Sequence, residues 1–112
     1  MVEYLSWIKN DDFGPLIDDL TVDGNYDLVL EQVPPNEDEI LKNHPTLLSV
    51  ACFFASLECV RSLLGQNASI LIADDIGRLP IHFAAGGGSI EIIQLLFNHG
   101  ANLFIRDKQS IF

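Results

Sequence analysis

The strongest constraint on this chain is an internal repeat. Shifting the sequence by 33 residues lays residues 46–78 on residues 79–111. Seven positions are identical: Ala51/Ala84, Ser56/Ser89, Glu58/Glu91, Leu63/Leu96, Ala68/Ala101, Ile72/Ile105 and Asp74/Asp107. Others stay apolar, among them Leu48/Ile81, Leu57/Ile90, Val60/Ile93 and Ile70/Leu103. Each copy reads as a short helix, a tight link, a second helix and a loop. One such unit cannot bury its apolar face alone, so neighbouring copies must stack to form a core.

Local chemistry supports that reading. Pro80 suits the first turn of a helix, where a missing N–H does no harm. Ala84 and Ala85 allow close approach between helices. Gly88 breaks the first helix of its copy, and Ser89 can cap the second. Glu91 then falls in the first turn, where the helix dipole favours an anion. Ile90, Ile93 and Phe97 recur at helical spacing and read as core. Gly100 is a left-handed terminator, with Asn67 at the equivalent place. Asp74-Asp75-Ile76-Gly77 reads as a tight turn, with Asp bonding local backbone and Gly taking positive φ.

The run from Asp74 to Ala85, with Gly77, Pro80, His82 and Ala84, resembles the ankyrin pattern D-x-x-G-x-T-P-L-H-x-A-A. Gly88, Ile93, Leu96, Phe97, Gly100, Ala101 and Asn102 continue it. Residues 46–78 are a first, looser copy, 79–111 a second, and a third opens from residue 107. The resemblance implies an all-α ankyrin-repeat solenoid of helix-turn-helix units, with an incomplete third repeat at the C-terminus. Two departures stand out. The second copy keeps His82 but has Leu79 for the motif's Thr, whereas the first keeps Thr46 but has Ser49 for its His. The first copy also lacks the turn, because Leu41 and His44 stand where Asp74 and Gly77 stand later.

Residues 1–45 do not align at the same period. Tyr4, Leu5, Trp7 and Ile8 suggest one helix, Leu16, Ile17 and Leu20 another, and Tyr26 to Val33 a third. Pro34-Pro35 breaks the chain, and Asn36 to Glu39 begins a short helix through Lys42 in the manner of a capping box. Asp11 to Leu16 weakly echoes Asp74 to Ile81, and Gly24-Asn25 could echo Gly88-Ser89. The segment is either a degenerate capping repeat or an unrelated helical cap covering the first repeat. Asp19, Thr21, Asp23, Gly24, Asn25 and Asp27 also carry the ligand spacing of a calcium loop. A calcium-responsive helical module over residues 19–31 is therefore the alternative function, although its closing Glu should fall at Leu30 and Glu31 is one residue late. Solvated acids in turns explain the same pattern.

Charge is concentrated in that segment. The chain carries a net charge of −10, and residues 1–45 hold eleven acids against Lys9 and Lys42. Such a surface repels phosphate, which argues against nucleic acid and anionic membranes; it reads either as a solvated helical surface or as a match for a protein partner with a basic patch. The start has no basic region followed by an apolar one, so a cytoplasmic chain is expected, with a nuclear one as the alternative. Cys52 and Cys59 read as reduced, packed thiols. Asn67-Ala68-Ser69 is a glycosylation sequon that matters only in a secreted chain.

Familiar catalytic arrangements do not fit. His44, His82 and His99 have no ligand set at metal spacing. Gly86-Gly87-Gly88 has no following Lys-Ser/Thr and ends a helix, unlike a phosphate loop. The resemblance accordingly implies a non-catalytic interaction module without cofactor or metal, binding another protein on a concave face. Carried over singly, the partner-binding positions are Asp75, Ile76, Arg78, Gly86 and Gly87 in the second repeat. In the first they are Lys42, Asn43, Pro45, Phe53 and Phe54, and at the opening of the third Lys108, Gln109 and Ile111. Phe53 and Phe54 read either as aromatic anchors for a partner or as packed against residues 1–45 or Phe83. Gly86 and Gly87 would leave a shallow floor beside them. At the C-terminal end Ile81, Ile92, Leu95 and Leu103 are expected to be exposed. That implies continuation of the array, a truncated copy without independent function, or self-association.

Overall fold

Three helix pairs follow one another along the chain, each bent at a left-handed link. The computed structural model describes residues 3–101. Helices α1 (Tyr4–Lys9) and α2 (Phe13–Asp23) form the first pair, α3 (Leu47–Phe53) and α4 (Leu57–Gly65) the second, α5 (Pro80–Gly87) and α6 (Ile90–Asn98) the third. A 3-10 helix, Glu39–Asn43, precedes α3. Helix α3 packs between α1 and α5, and α4 between α2 and α6. The described residues are thus an all-α stack of two helical layers, with one isolated antiparallel bridge, Val29 to Thr46.

Backbone conformation repeats with the helices. Asp11, Ala55 and Gly88 turn each pair at φ of 53°, 56° and 76°. Gly24, Asn67 and Gly100 follow the second helix of each pair at φ of 67°, 64° and 97°. Asn67 and Gly100 therefore terminate their helices as expected. The first pair has its link at Asp11-Asp12, not at Gly24-Asn25. Asp is among the few side-chain-bearing residues that tolerate this region.

The core runs through all three pairs. Ile8 and Leu16, Val50 and Ala51, Val60 and Leu63, Phe83 and Ala84, Ile92 and Leu96 are each fully buried. Burial of such a side chain contributes about 1.5–3 kcal/mol. Ile81 and Ile92 lie inside this core, contrary to the expectation that they face the open end. Ile90 and Phe97, expected in the core, are the exposed large apolar residues of α6, at 77% and 54%. The helix is phased by Ile92 and Leu96, one turn apart, which directs Ile90 and Phe97 outward.

The helix starts divide one hydrogen-bonding pair between two repeats. At α3 the Thr46 hydroxyl accepts the Ser49 N–H at 3.2 Å. At α5, where Leu79 has no such oxygen, His82 Nδ1 accepts the Leu79 N–H at 2.8 Å. Each helix keeps the half its sequence allows.

Between α2 and α3 the expected helix at Tyr26–Val33 is absent. Leu30 N–H donates to Pro45 O at 2.8 Å and Leu47 N–H to Leu28 O at 2.9 Å, so this stretch runs extended beside the start of α3. Its β-branched residues and the following Pro34-Pro35 favour that course. The short helix through Lys42 does form, as a 3-10 turn capped by the Asp38 carboxylate, which accepts the Ile40 N–H at 3.1 Å.

Candidate functional site

The turn before α5 is built around one buried carboxylate. Asp74 Oδ1 accepts the N–H groups of Ile76 at 3.2 Å and Arg78 at 2.8 Å. Gly77 adopts φ of 88°, and its N–H donates to Asp74 O at 3.0 Å. Arg78 Nε donates to Asp74 Oδ2 at 2.8 Å, and Arg78 Nη2 to Ile40 O at 3.0 Å. The same guanidinium lies 5.2 Å from the Phe83 ring centroid. Arg78 therefore braces the turn against the preceding repeat.

The preceding tip solves the same problem without Asp or Gly. Leu41, at the position of Asp74, is buried. His44, at the position of Gly77, takes φ of 57°. The two tips are joined: Asp75 N–H donates to Asn43 O at 2.9 Å, and His44 Nδ1 meets Asp75 Oδ2. Contact with Asp75 raises the His44 pKa above its ordinary value, with a further contribution from Glu31. Lys42 pairs with Glu39 at 2.8 Å and keeps an exposed side chain. Pro45 is buried, and its carbonyl is engaged by Leu30, so it offers no contact surface.

At the C-terminal end of α3 lies an aromatic shelf. Phe53 and Phe54 meet edge to face with centroids 5.2 Å apart, and both are half-buried. Lys9 of α1 sits 5.4 Å from the centroid of Phe54 and pairs with Glu37 at 2.5 Å. Neither Lys9 nor His44 was expected among the contact residues, since only the packing of adjacent helix pairs brings them here. The two glycines differ. A Cβ on Gly86 would meet only Phe53 Cδ1, at 3.9 Å. One on Gly87 would lie 2.6 Å from Phe53 O and 2.7 Å from Cys52 O. Gly87 is thus the point of close approach between α5 and the end of α3, and Gly86 alone leaves open floor. Lys108, Gln109 and Ile111 lie outside the described residues.

An array braced tip to tip, with Gly77, Pro80 and His82 each in its structural place, has the local chemistry of the motif read from the sequence. A family model described as ankyrin repeats, three copies, matches residues 20–107. The chain belongs to the ankyrin repeat family. Ankyrin repeat and SOCS box protein 11 of Homo sapiens is 38% identical over 78 residues, covering 67% of this chain and 23% of that protein. Ankyrin repeat protein nuc-2 of Neurospora crassa is 36% identical over 56 residues, covering 50% and 5%. The potassium channel AKT2/3 of Arabidopsis thaliana is 31% identical over 81 residues, covering 72% and 10%. The chain spans less than a quarter of the length of these curated relatives.

Other polar groups of the array are engaged structurally. Asp19, Thr21 and Asp23 of the calcium-loop spacing lie on α2, where residues two apart point about 200° round the axis. Asp19 accepts the Tyr4 hydroxyl at 2.5 Å, Thr21 donates to Ile17 O at 2.8 Å, and Asp27 accepts the Ser69 N–H at 2.7 Å. Among the described residues no cluster of three His, Cys, Asp or Glu side chains is placed to hold a metal ion. Burial raises the pKa of both thiols; Cys59, which also faces Asp11, is pushed up to about 12. Among the described residues no helix is long and apolar enough to cross a membrane.

Proposed function

We propose that this ankyrin array is a non-catalytic protein-binding module that holds its partner on the face made by the turn tips and the inner helices α1, α3 and α5. The observation that carries this reading is the shelf of Phe53 and Phe54 beside the open floor at Gly86. A bulky apolar side chain of a partner fits there, with half-buried aromatics to cover it. Lys42, Asn43, Asp75 and Ile76 add contacts at the tips. Arg78 and Gly87 serve the same surface indirectly, by holding the turn and the helix spacing.

Several features support the wider reading. Helices α1 and α2 pack on α3 and α4 as those pack on α5 and α6, which suits a capping repeat for residues 1–45. The concentration of acids there favours a partner with a basic patch. Free, buried Cys52 and Cys59 suit a reducing cytoplasmic setting. Ile90 and Phe97 on α6 mark the side on which the array would continue or self-associate.

Affinity capture with mass spectrometry, comparing the chain with a Gly86→Gln variant, tests the binding face. That substitution fills the floor at an open helical position and leaves the packing intact. A protein retained by the chain and lost with the variant is the expected result. Identical recoveries from the two would sink the reading.

A further inference from the structure

Leu28 and Leu30 direct their backbone polar groups at Pro45–Leu47, through the two hydrogen bonds already described. Successive residues of an extended chain present those groups to opposite edges. Val29 and Glu31 therefore present theirs to the other edge. Among the described residues neither has a backbone hydrogen-bond partner. A row of unpaired N–H and C=O groups is a template for another strand.

That edge borders a cleft of about 460 Å³ between the extended segment and the first turn of α1. Leu5, Leu28 and Leu30 supply apolar lining, and Tyr4 stands beside them. Glu3 and Glu31 line it too, both exposed. No residue of the tips or of the aromatic shelf takes part.

We propose that this cleft takes an extended cationic peptide segment, added as a strand along Val29 and Glu31. The backbone groups of Val29 and Glu31 are spaced two residues apart, as a partner strand requires, about 6.6–6.8 Å. Alternate side chains of the added strand face the leucines, and those between them reach Glu3 and Glu31. The surrounding segment carries eleven acids against two lysines, so lysine or arginine belongs at those alternate positions. This site shares no residue with the tips or the aromatic shelf, and each reading can fail without the other.

The test is an NMR titration of the isotope-labelled 112-residue chain with a heptapeptide alternating lysine with valine and leucine. Three controls accompany it. One peptide is N-methylated at alternate backbone positions, one replaces lysine with glutamate, and a Glu3→Lys, Glu31→Lys chain reverses the rim. Shifts at Glu3, Leu5, Val29 and Glu31 are expected. Binding should weaken by about tenfold or more with the N-methylated peptide, which loses main-chain donors, and with the reversed rim. The N-methylated control needs no protein variant, so its result is independent of folding. Equal binding of the N-methylated peptide would overturn the proposal. So would shifts confined to Phe54 and Ile76, or no binding at about 1 mM peptide.

Discussion

Asp11 caps a helix in the helix pair that follows its own: its carboxylate accepts the backbone N–H of Cys59 at 2.9 Å, and that of Glu58 at 3.2 Å. The need arises because Ser56, at the cap position of α4, gives its hydroxyl to Ile8 O instead. In the next repeat Ser89 caps its own helix, accepting the Ile92 N–H at 3.3 Å. The first two helix pairs are therefore tied by hydrogen bonds as well as by apolar packing.

Asp11→Ala should lower stability by about 1–2 kcal/mol, the cost of a lost cap, with added strain from alanine at φ of 53°. Asp11→Asn keeps one acceptor and tolerates the same backbone, so it should lose less. Urea denaturation followed by circular dichroism reads both. An Asp11→Ala chain as stable as the parent would remove the inter-repeat cap from the account.

The adjacent glycines at the end of α5 should respond with opposite signs. Alanine is the better helix former by about 1 kcal/mol, and Gly86→Ala meets nothing closer than Phe53 Cδ1 at 3.9 Å. That variant should melt higher. Gly87→Ala places a methyl within 2.7 Å of two α3 carbonyl oxygens and must push the repeats apart, so it should melt lower. Thermal melts of the two variants check this. Equal shifts of the same sign would mean that α5 does not approach α3 so closely.

His44 and Asp75 give the tips a pH dependence. The pKa of His44 is raised, first by its hydrogen bond to Asp75 and then by that residue's charge. The folded state therefore binds the proton more tightly than the unfolded chain does. The stabilisation is fully present below the ordinary histidine value of about 6.5 and is lost as pH rises through the raised value. An NMR titration should place His44 above the ordinary value in the parent and return it towards that value in Asp75→Asn. An unshifted His44 in the parent would show that the tips do not pair in solution.

Much of the second and third helix pairs was legible because Asn67 and Gly100, Ala55 and Gly88, and Leu63 and Leu96 keep one spacing. The first pair was hidden by the link before α3. Gly24 stands ten residues further from Asn67 than Asn67 does from Gly100. The extra chain is the extended segment, whose Tyr26, Leu28, Val29 and Val33 mimic an apolar helix face. Its pairing with Pro45–Leu47 is a tertiary fact that local spacing does not encode. Gly87 likewise reads as open floor until the carbonyls of α3 are placed beneath it, and Arg78 as a partner-binding position until Asp74 and Ile40 are placed around it.

The thiols should behave as packed core groups in the native array. Cys52 and Cys59 are both fully buried, and burial disfavours the thiolate that alkylating reagents require. Cys59 is pushed up to about 12 by burial first and by Asp11 second. A raised value means that its contribution to stability is complete below the ordinary thiol range and is lost as pH rises through about 12. Iodoacetamide at neutral pH should accordingly label both residues slowly, at rates that rise with added urea. Asp11→Ala removes the neighbouring charge and frees the first turn of α4, so it should speed labelling of Cys59 more than that of Cys52. Peptide mapping separates the two sites. Fast labelling of Cys59 in the untreated parent would mean that α4 begins further from Asp11 than the capped geometry requires, whereas equal acceleration at both cysteines would trace the effect to global unfolding instead of the cap.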